Sequence, residues 1–144
     1  MKQVKTTIAL LIILTLLTSI GSVFATDYDT PEAPFDPEEY QHILTFTTGF
    51  SINSSGKSTS SGILNSWYSS DKIYMTITLQ KKSASGSWTY VTSWSGSGTG
   101  YLSMAKNYYV VPGYNYRCVV RVSVYSSSGT YIEGDTSYSN VVYY

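Results

Sequence analysis

Residues 72–80 read Lys-Ile-Tyr-Met-Thr-Ile-Thr-Leu-Gln and form the most regular stretch of the chain. Every second side chain is apolar, at Ile73, Met75, Ile77 and Leu79. A period of two places these side chains together on one face of an extended strand, with polar side chains on the other. The stretch therefore predicts a β-strand that is buried on one side only.

Similar alternation recurs on both sides of this strand, in segments separated by Gly, Ser and Asn turns. Helical periodicity is absent, and 15 tyrosines and 11 glycines argue against a helical bundle. The chain is predicted to be all-β, an antiparallel β-sandwich of about seven strands. We expect strands at 43–52, 72–80, 88–94, near 101–104 and at 114–125. A further strand is expected to end near Trp67 and a last one at 142, and residues 95–100 are expected to form a loop.

The first 25 residues have the three parts of an export signal. Lys2 and Lys5 are positive, residues 8–20 are almost continuously apolar, and Val23-Phe24-Ala25 forms a cleavage site before Thr26. A retained membrane anchor is the alternative, because about 17 apolar residues is the lower limit for crossing a bilayer. We predict a signal peptide at 1–25, an acidic, proline-containing tether at 26–41 and a sandwich domain at 42–144, with the mature protein secreted and free of a membrane span.

The C-terminal third carries a resemblance to a known module. Residues 112–122, Pro-Gly-Tyr-Asn-Tyr-Arg-Cys-Val-Val-Arg-Val, followed by Gly129 and by Ser-Asn-Val-Val at 139–142, resemble strands F and G of a fibronectin type III module. The whole chain also resembles short secreted proteins of Gram-positive, largely clostridial, bacteria that share a domain of unknown function. These resemblances imply an Ig-like fold and an extracellular location, and they imply no activity.

Composition argues against several functional classes. Nine Lys and Arg balance nine Asp and Glu, whereas a protein that binds nucleic acid through phosphates needs a basic excess. A single histidine, His42, and a single cysteine, Cys118, provide neither a zinc set nor a positioned catalytic base. Cys118 alternates in phase with Val120 and Val122, which predicts a buried, inert thiol. We therefore expect no enzyme activity, no cofactor and no nucleic-acid partner.

Aromatic residues are the abundant group suited to binding. Trp88, Tyr90 and Trp94 share one face of the expected strand 88–94, and Tyr74 and Tyr125 face outward by alternation. Amphipathic rings can stack on a ligand, but they also pack within sandwiches. Both interpretations remain open, a binding platform and sheet packing.

Charged residues are expected to gather at the two ends of the sandwich. Asp71, Glu133 and Asp135 fall in loops at the end where the tether enters, and their oxygens could form a Ca²⁺ cage. The lysines of the other end could contact an anionic cell wall: Lys57, Lys81, Lys82 and Lys106. Chance placement of surface charge is the alternative.

These observations favour a secreted, non-catalytic binding or structural module that acts at the cell envelope or on an extracellular partner such as a cell-wall polymer or polysaccharide. One alternative is a carbohydrate-binding module that uses strand 88–94. Another is a secreted, bacteriocin-like antagonist of other cells.

Overall fold

Eight strands build residues 40–144, the part of the chain that the computed structural model describes. They are β1 (Ile43–Ile52), β2 (Lys57–Ser66), β3 (Lys72–Lys82), β4 (Thr89–Thr99), β5 (Tyr101–Tyr109), β6 (Asn115–Tyr125), β7 (Tyr131–Tyr138) and β8 (Val142–Tyr143). The predicted signal peptide and residues 26–39 of the predicted tether lie outside the described residues. Within residues 40–144 there is no helix of the length and apolarity needed to cross a membrane.

The strands form two antiparallel sheets that face each other. One sheet contains β1, β2 and β5, and the other contains β4, β3, β6 and β7 in that order, with β8 paired to β6. Only the pair Thr99–Tyr101 connects the two hydrogen-bond ladders, so the strands lie in two layers. The predicted fold class, an all-β antiparallel sandwich, is confirmed.

A single residue, Gly100, turns the chain from one sheet into the other. Its φ is +69°, and an added Cβ would lie 2.7 Å from the Cα of Ser69, so only glycine fits without strain. The Gly100 amide donates to the carbonyl of Asp71 at 2.8 Å, and its own carbonyl accepts from the Ser66 amide at 2.8 Å. A strand that bends in this way makes a corner of the sandwich.

The prediction of a loop at 95–100 is wrong, because β4 continues to Thr99. The glycines that suggested a loop fill a packing role within the strand. An added Cβ at Gly96 would lie 2.7 Å from the sulfur of Met104, and one at Gly98 would lie 2.6 Å from the carbonyl oxygen of Tyr101 and 3.3 Å from the Cβ of Leu102. Since Met104 and Leu102 belong to the facing sheet, the two layers approach closely at these glycines.

The core lies between the sheets and contains the predicted apolar faces of β3 and β6. Ile73, Met75, Ile77 and Leu79 are buried, as are Tyr116, Cys118, Val120, Val122 and Val124. Alternation in the sequence of β1 predicts Leu44, Phe46, Phe50 and Ile52 on one face, and the structure differs from this at Leu44. A β-bulge between Ile43 and Thr45 leaves Leu44 partly exposed and buries Ile43 together with Phe46.

Candidate functional site

The most distinctive surface is the side of the five-stranded sheet that faces away from the core, hereafter the outer face. Its residues alternate with the buried residues of β3 and β6. The middle is rich in hydroxyl groups: Thr76 and Ser95 pair across β3 and β4, with 2.9 Å between their oxygens. Aromatic residues and bases lie toward its two ends.

Three tyrosines form one end of the outer face, and we call them the tyrosine cluster: Tyr74, Tyr125 and Tyr131. The ring centroids of Tyr74 and Tyr125 are 5.4 Å apart, and those of Tyr125 and Tyr131 are 5.5 Å apart. Both pairs meet edge to face, a favourable geometry for aromatic rings. Tyr74 is nevertheless 51% exposed and Tyr131 57% exposed, so much of their surface faces solvent.

A cavity of ≈ 320 Å³ adjoins this cluster, lined by Lys72, Tyr74, Tyr125 and Gly129. Gly129 has a φ of +92° in the turn after β6, and its amide donates to the carbonyl of Ser126 at 2.9 Å. No atom lies within 4 Å of the position that a Cβ of Gly129 would occupy. The volume reaches the lower end of the range for small-ligand sites. Aromatic rings, phenol hydroxyls and one ammonium group are thus close together.

The opposite end of the outer face is built around Arg117. Its guanidinium carbon lies 4.2 Å from the ring centroid of Trp88 and 4.6 Å from that of Tyr138, within cation–π range of both. Its Nε donates to Oε1 of Gln80 at 3.0 Å. The ammonium of Lys82 lies 4.8 Å from the centroid of the Trp88 ring. We call Trp88, Arg117, Tyr138 and Lys82 the arginine cluster.

The predicted platform of Trp88, Tyr90 and Trp94 is not formed as one surface. Strand β4 has a β-bulge, since Thr92 pairs with Leu79 and Tyr90 pairs with Gln80, which leaves Val91 as an extra residue. Trp94 therefore lies opposite Ile77 and packs against the core. Tyr90 lies on the outer face and is 66% exposed. The bulge separates the side chains that simple alternation had placed together.

The outward direction of Tyr74 and Tyr125 agrees with the alternation in their strands, and their contact with each other is a new finding. They are not beside Trp88: eight residues of β3 separate Tyr74 from Lys82, roughly 26 Å of extended strand. Sequence reasoning missed the partners Tyr131 and Tyr138. Both lie on β7, and only the pairing of β7 with β6 brings them beside Tyr125 and Val119.

Glu133 accepts hydrogen bonds from the backbone of the first described residues of the chain. Its Oε1 accepts the amides of His42 at 2.8 Å and Ile43 at 2.6 Å, and its Oε2 accepts the amide of Gln41 at 3.0 Å. Asp135 likewise accepts the hydroxyl of Tyr40 at 2.6 Å. Both acids were expected in a loop, but they lie in strand β7. Their side chains lie on the inner side of this strand, because they pair with Val124 and Val122.

Asp71 is buried at the same end of the sandwich. Its Oδ2 accepts the hydroxyl of Ser66 at 2.5 Å and lies 2.8 Å from Nδ1 of His42, whose ring lies 4.5 Å from that of Tyr68. Ser66 is bonded to the carboxylate, whereas a nucleophilic serine needs a hydrogen bond to the imidazole. These hydrogen bonds fit a structural role, in which Asp71 and Ser66 hold the chain at His42, better than a catalytic role.

The predicted calcium cage of Asp71, Glu133 and Asp135 is not supported by this geometry. Each carboxylate already accepts hydrogen bonds from the protein. Within residues 40–144, no group of three or more His, Cys, Asp or Glu side chains is placed to hold a metal ion. The three acids do lie at one end of the sandwich, as the sequence predicted, and there they hold the first described residues of the chain.

The lysines expected at the other end occupy different surfaces. Lys81 lies 4.6 Å from the ring centroid of Tyr114, and the next residue, Lys82, contacts Trp88 on the outer face. Lys57 begins β2, and Lys106 lies in β5 opposite Ser60, so both belong to the three-stranded sheet. Their role in contacting an anionic surface stays a prediction.

Cys118 is buried, as its alternation predicted. Its Sγ donates to the carbonyl of Gly49 at 3.4 Å. Burial raises the pKa of the thiol, and hydrogen bonds, among them one with Ser139, oppose this only in part. A buried thiol of this kind is a packing residue rather than a nucleophile.

Comparison with known proteins adds no assignment. No protein-family model matches the chain, and no curated protein matches it significantly in sequence. The functional argument therefore depends on the outer face itself.

Proposed function

We propose that this chain is a secreted, non-catalytic binding module that recognises a polysaccharide through the outer face of its five-stranded sheet. The carrying observation is the exposed tyrosine cluster beside the cavity at Lys72. Sugar rings have apolar C–H faces bordered by hydroxyl groups. Tyrosine matches both features, because its ring is apolar and its hydroxyl forms hydrogen bonds. This moves the binding surface expected on strand 88–94 to strands β3, β6 and β7.

The hydroxyl-rich middle of the outer face supports the same proposal. Thr76 and Ser95 lie between the tyrosine cluster and the arginine cluster, and both hydroxyls are within reach of a ligand that follows the sheet. The tyrosine cluster stands on paired strands, as do Lys82, Arg117 and Tyr138 of the arginine cluster, and such strands keep a site more rigid than loops do. An extended polymer therefore fits this face better than a compact ligand.

The extracellular location in this proposal rests on residues 1–25, whose charged, apolar and small-residue segments are typical of an export signal. A binding module delivered outside the cell would meet polysaccharides of the envelope or of the surroundings. This agrees with a role in adhesion or retention at a surface.

Affinity electrophoresis in gels that contain single polysaccharides tests the proposal. The panel comprises peptidoglycan fragments, xylan, polygalacturonate and fully methyl-esterified polygalacturonate. We expect Tyr74→Ala to lose most of the retardation seen with at least one polymer. Tyr109→Ala is the matched control, because Tyr109 is 69% exposed on the three-stranded sheet. Equal retardation of both variants and the unmodified protein would contradict the proposal.

A further inference from the structure

The charge of the outer face has one sign. Four charged side chains lie on it, and all are basic: Lys72, Lys82, Arg117 and Arg121. Residues 40–144 contain only three acids against seven Lys and Arg. Those acids are directed elsewhere, since Asp71 is buried and Glu133 and Asp135 lie on the inner side of β7.

None of these bases is neutralised by a carboxylate in this part of the chain. Across residues 40–144 no Lys or Arg forms an ion pair with a carboxylate. The neutral overall composition therefore hides a strongly uneven distribution, because six of the nine acids precede residue 40. Among residues 40–144, the outer face therefore carries a positive potential that no carboxylate of these residues neutralises.

The guanidinium of Arg117 is held in place by three neighbouring side chains. Trp88 and Tyr138 contact its guanidinium, and Gln80 takes the Nε hydrogen. No acceptor among residues 40–144 is bonded to the two terminal nitrogens, Nη1 and Nη2. A guanidinium binds a carboxylate through two parallel N–H donors, and holding its plane in advance lowers the entropy lost on binding.

We propose that the polymer bound by the outer face is an anionic polysaccharide with carboxylate groups on its sugar rings. In this arrangement Arg117 binds a carboxylate through its terminal nitrogens, and the tyrosine cluster packs on rings farther along the same chain. This inference rests on the proposed polysaccharide function and specifies its ligand class. Eight residues of β6 separate Arg117 from Tyr125, roughly 26 Å, with Arg121 midway, so the ligand is an extended chain of several sugars.

The combination of clusters favours a carboxylated polysaccharide over other polyanions. A poly(glycerol phosphate) chain has charge but no sugar rings in its backbone for the tyrosines. A neutral polysaccharide has rings but no anionic partner for four bases that no carboxylate of residues 40–144 neutralises. Of these three polymers, the glycan with acidic rings is the one that uses both ends of the outer face.

The test measures binding of the full mature chain to polygalacturonate and to its methyl ester, which has the same sugar backbone without the charge. We expect binding to the acid to be at least about tenfold tighter, as the loss of a bidentate charged contact implies. It should also weaken as salt rises from about 0.05 to about 0.5 M. Equal affinity for the acid and the ester would overturn the inference.

Substitutions separate a specific contact from general attraction. Arg117→Gln should weaken binding to polygalacturonate by about tenfold, and Arg117→Lys, which keeps the charge but loses the fork, should restore little of it. Lys106→Gln removes the same charge from the other sheet, where the sequence had suggested a different anionic contact. If the outer face is the site, this variant should change binding less than about twofold. A loss at Lys106 equal to that at Arg117 would overturn the assigned site. Melting temperatures of all variants verify folding.

The same measurements distinguish failure of this inference from failure of the proposed function. Tyr74-dependent binding of a neutral polysaccharide, with no preference for the acid, would remove only the carboxylate assignment. Equally tight binding to poly(glycerol phosphate) would also remove it. Absence of binding to every polysaccharide would remove the proposed function as well. Tighter binding to single-stranded DNA than to polygalacturonate would indicate a nucleic-acid partner and contradict both.

Discussion

The contact most informative about how the chain is anchored is that of Glu133, and Glu133→Gln is the substitution that tests it. The carboxylate accepts three successive backbone amides, those of Gln41, His42 and Ile43. Glutamine has nearly the same shape but only one acceptor oxygen, and it replaces the other with an N–H donor group. The variant therefore keeps at most two of the three hydrogen bonds and removes the charge that strengthens them.

The expected cost follows from these contacts. Hydrogen bonds to a charged group contribute about 1.5–3 kcal/mol each and neutral ones about 0.5–1.5 kcal/mol. Two bonds that weaken by about 1 kcal/mol each and a third that is lost total about 4 kcal/mol. Because Glu133 is only partly buried and the Gln41 bond is exposed, we halve this to about 2 kcal/mol. For a domain near 100 residues, that lowers the melting temperature by about 8–12 °C.

Thermal unfolding followed by circular dichroism measures this change, with denaturant unfolding as a second readout. Asp135→Asn is the matched control, because it removes one negative charge from the same side of β7. It should cost about 1 kcal/mol or less, because the amide oxygen still accepts the Tyr40 hydroxyl and the bond that is lost is a single local one, from the adjacent Thr136 amide to Oδ1. A melting temperature within about 2 °C of the unmodified protein for Glu133→Gln would refute the reasoning. Equal losses for both variants would assign the effect to net charge.

Three further predictions concern the corner at Gly100, the Cys118 thiol and two aromatic residues of β4. Gly100→Ala should destabilise the domain by about 2–3 kcal/mol in denaturant unfolding, because its φ is positive and backbone atoms of Ser69 occupy the Cβ position; a loss under about 0.5 kcal/mol would contradict this. Cys118 should react with a thiol reagent only after denaturation, and rapid native labelling would show that it is not buried. Burial raises the pKa of this thiol, so as the pH rises the unfolded state loses the thiol proton before the folded state does. The contribution of Cys118 to stability is therefore full below about pH 8.5 and is lost as pH rises through the folded pKa. Cys118→Ala should remove this pH-dependent loss. Trp94→Ala should cost about 3 kcal/mol and Tyr90→Ala under about 1 kcal/mol, and equal costs would place both rings in one environment.

Local alternation was sufficient to predict most strands and the buried side of two of them. In β3 and β6 the apolar residues recur at every second position without interruption, and every one of them is buried. The period of two is a property of the extended backbone itself, so it requires no knowledge of neighbouring strands. The outward direction of Tyr74 and the burial of Cys118 follow from the same rule.

Alternation failed wherever a strand contains an extra residue. The bulge at Val91 separates Trp94 from Tyr90, and the bulge after Ile43 makes that residue inward and Leu44 partly exposed. One inserted residue reverses the face of every side chain beyond it. Bulges depend on how two strands pair, and a single strand's sequence does not reveal them.

Whether a glycine-rich segment forms a loop or a strand is also decided by packing against other strands. Residues 95–100 have the composition of a loop, yet Gly96 and Gly98 lie in β4. They are small because Met104 and Leu102 of the facing sheet occupy the adjacent space. The requirement comes from residues that are close in space only because Gly100 bends the chain between them.

The sequence by itself determined most of the strands, their buried faces where no bulge intervenes and the separation of acids from bases, because each depends on residues adjacent in the chain. The export signal at residues 1–25 stays a prediction. Only the tertiary structure decided which side chains became neighbours. The register between β6 and β7 places Tyr131 beside Tyr125. Trp88, just before β4, and Tyr138, on β7, both contact Arg117 because β4 and β7 flank the paired strands β3 and β6. The physical reason is that side chains on one sheet face contact each other across strands, where hydrogen-bond register rather than sequence distance sets their spacing.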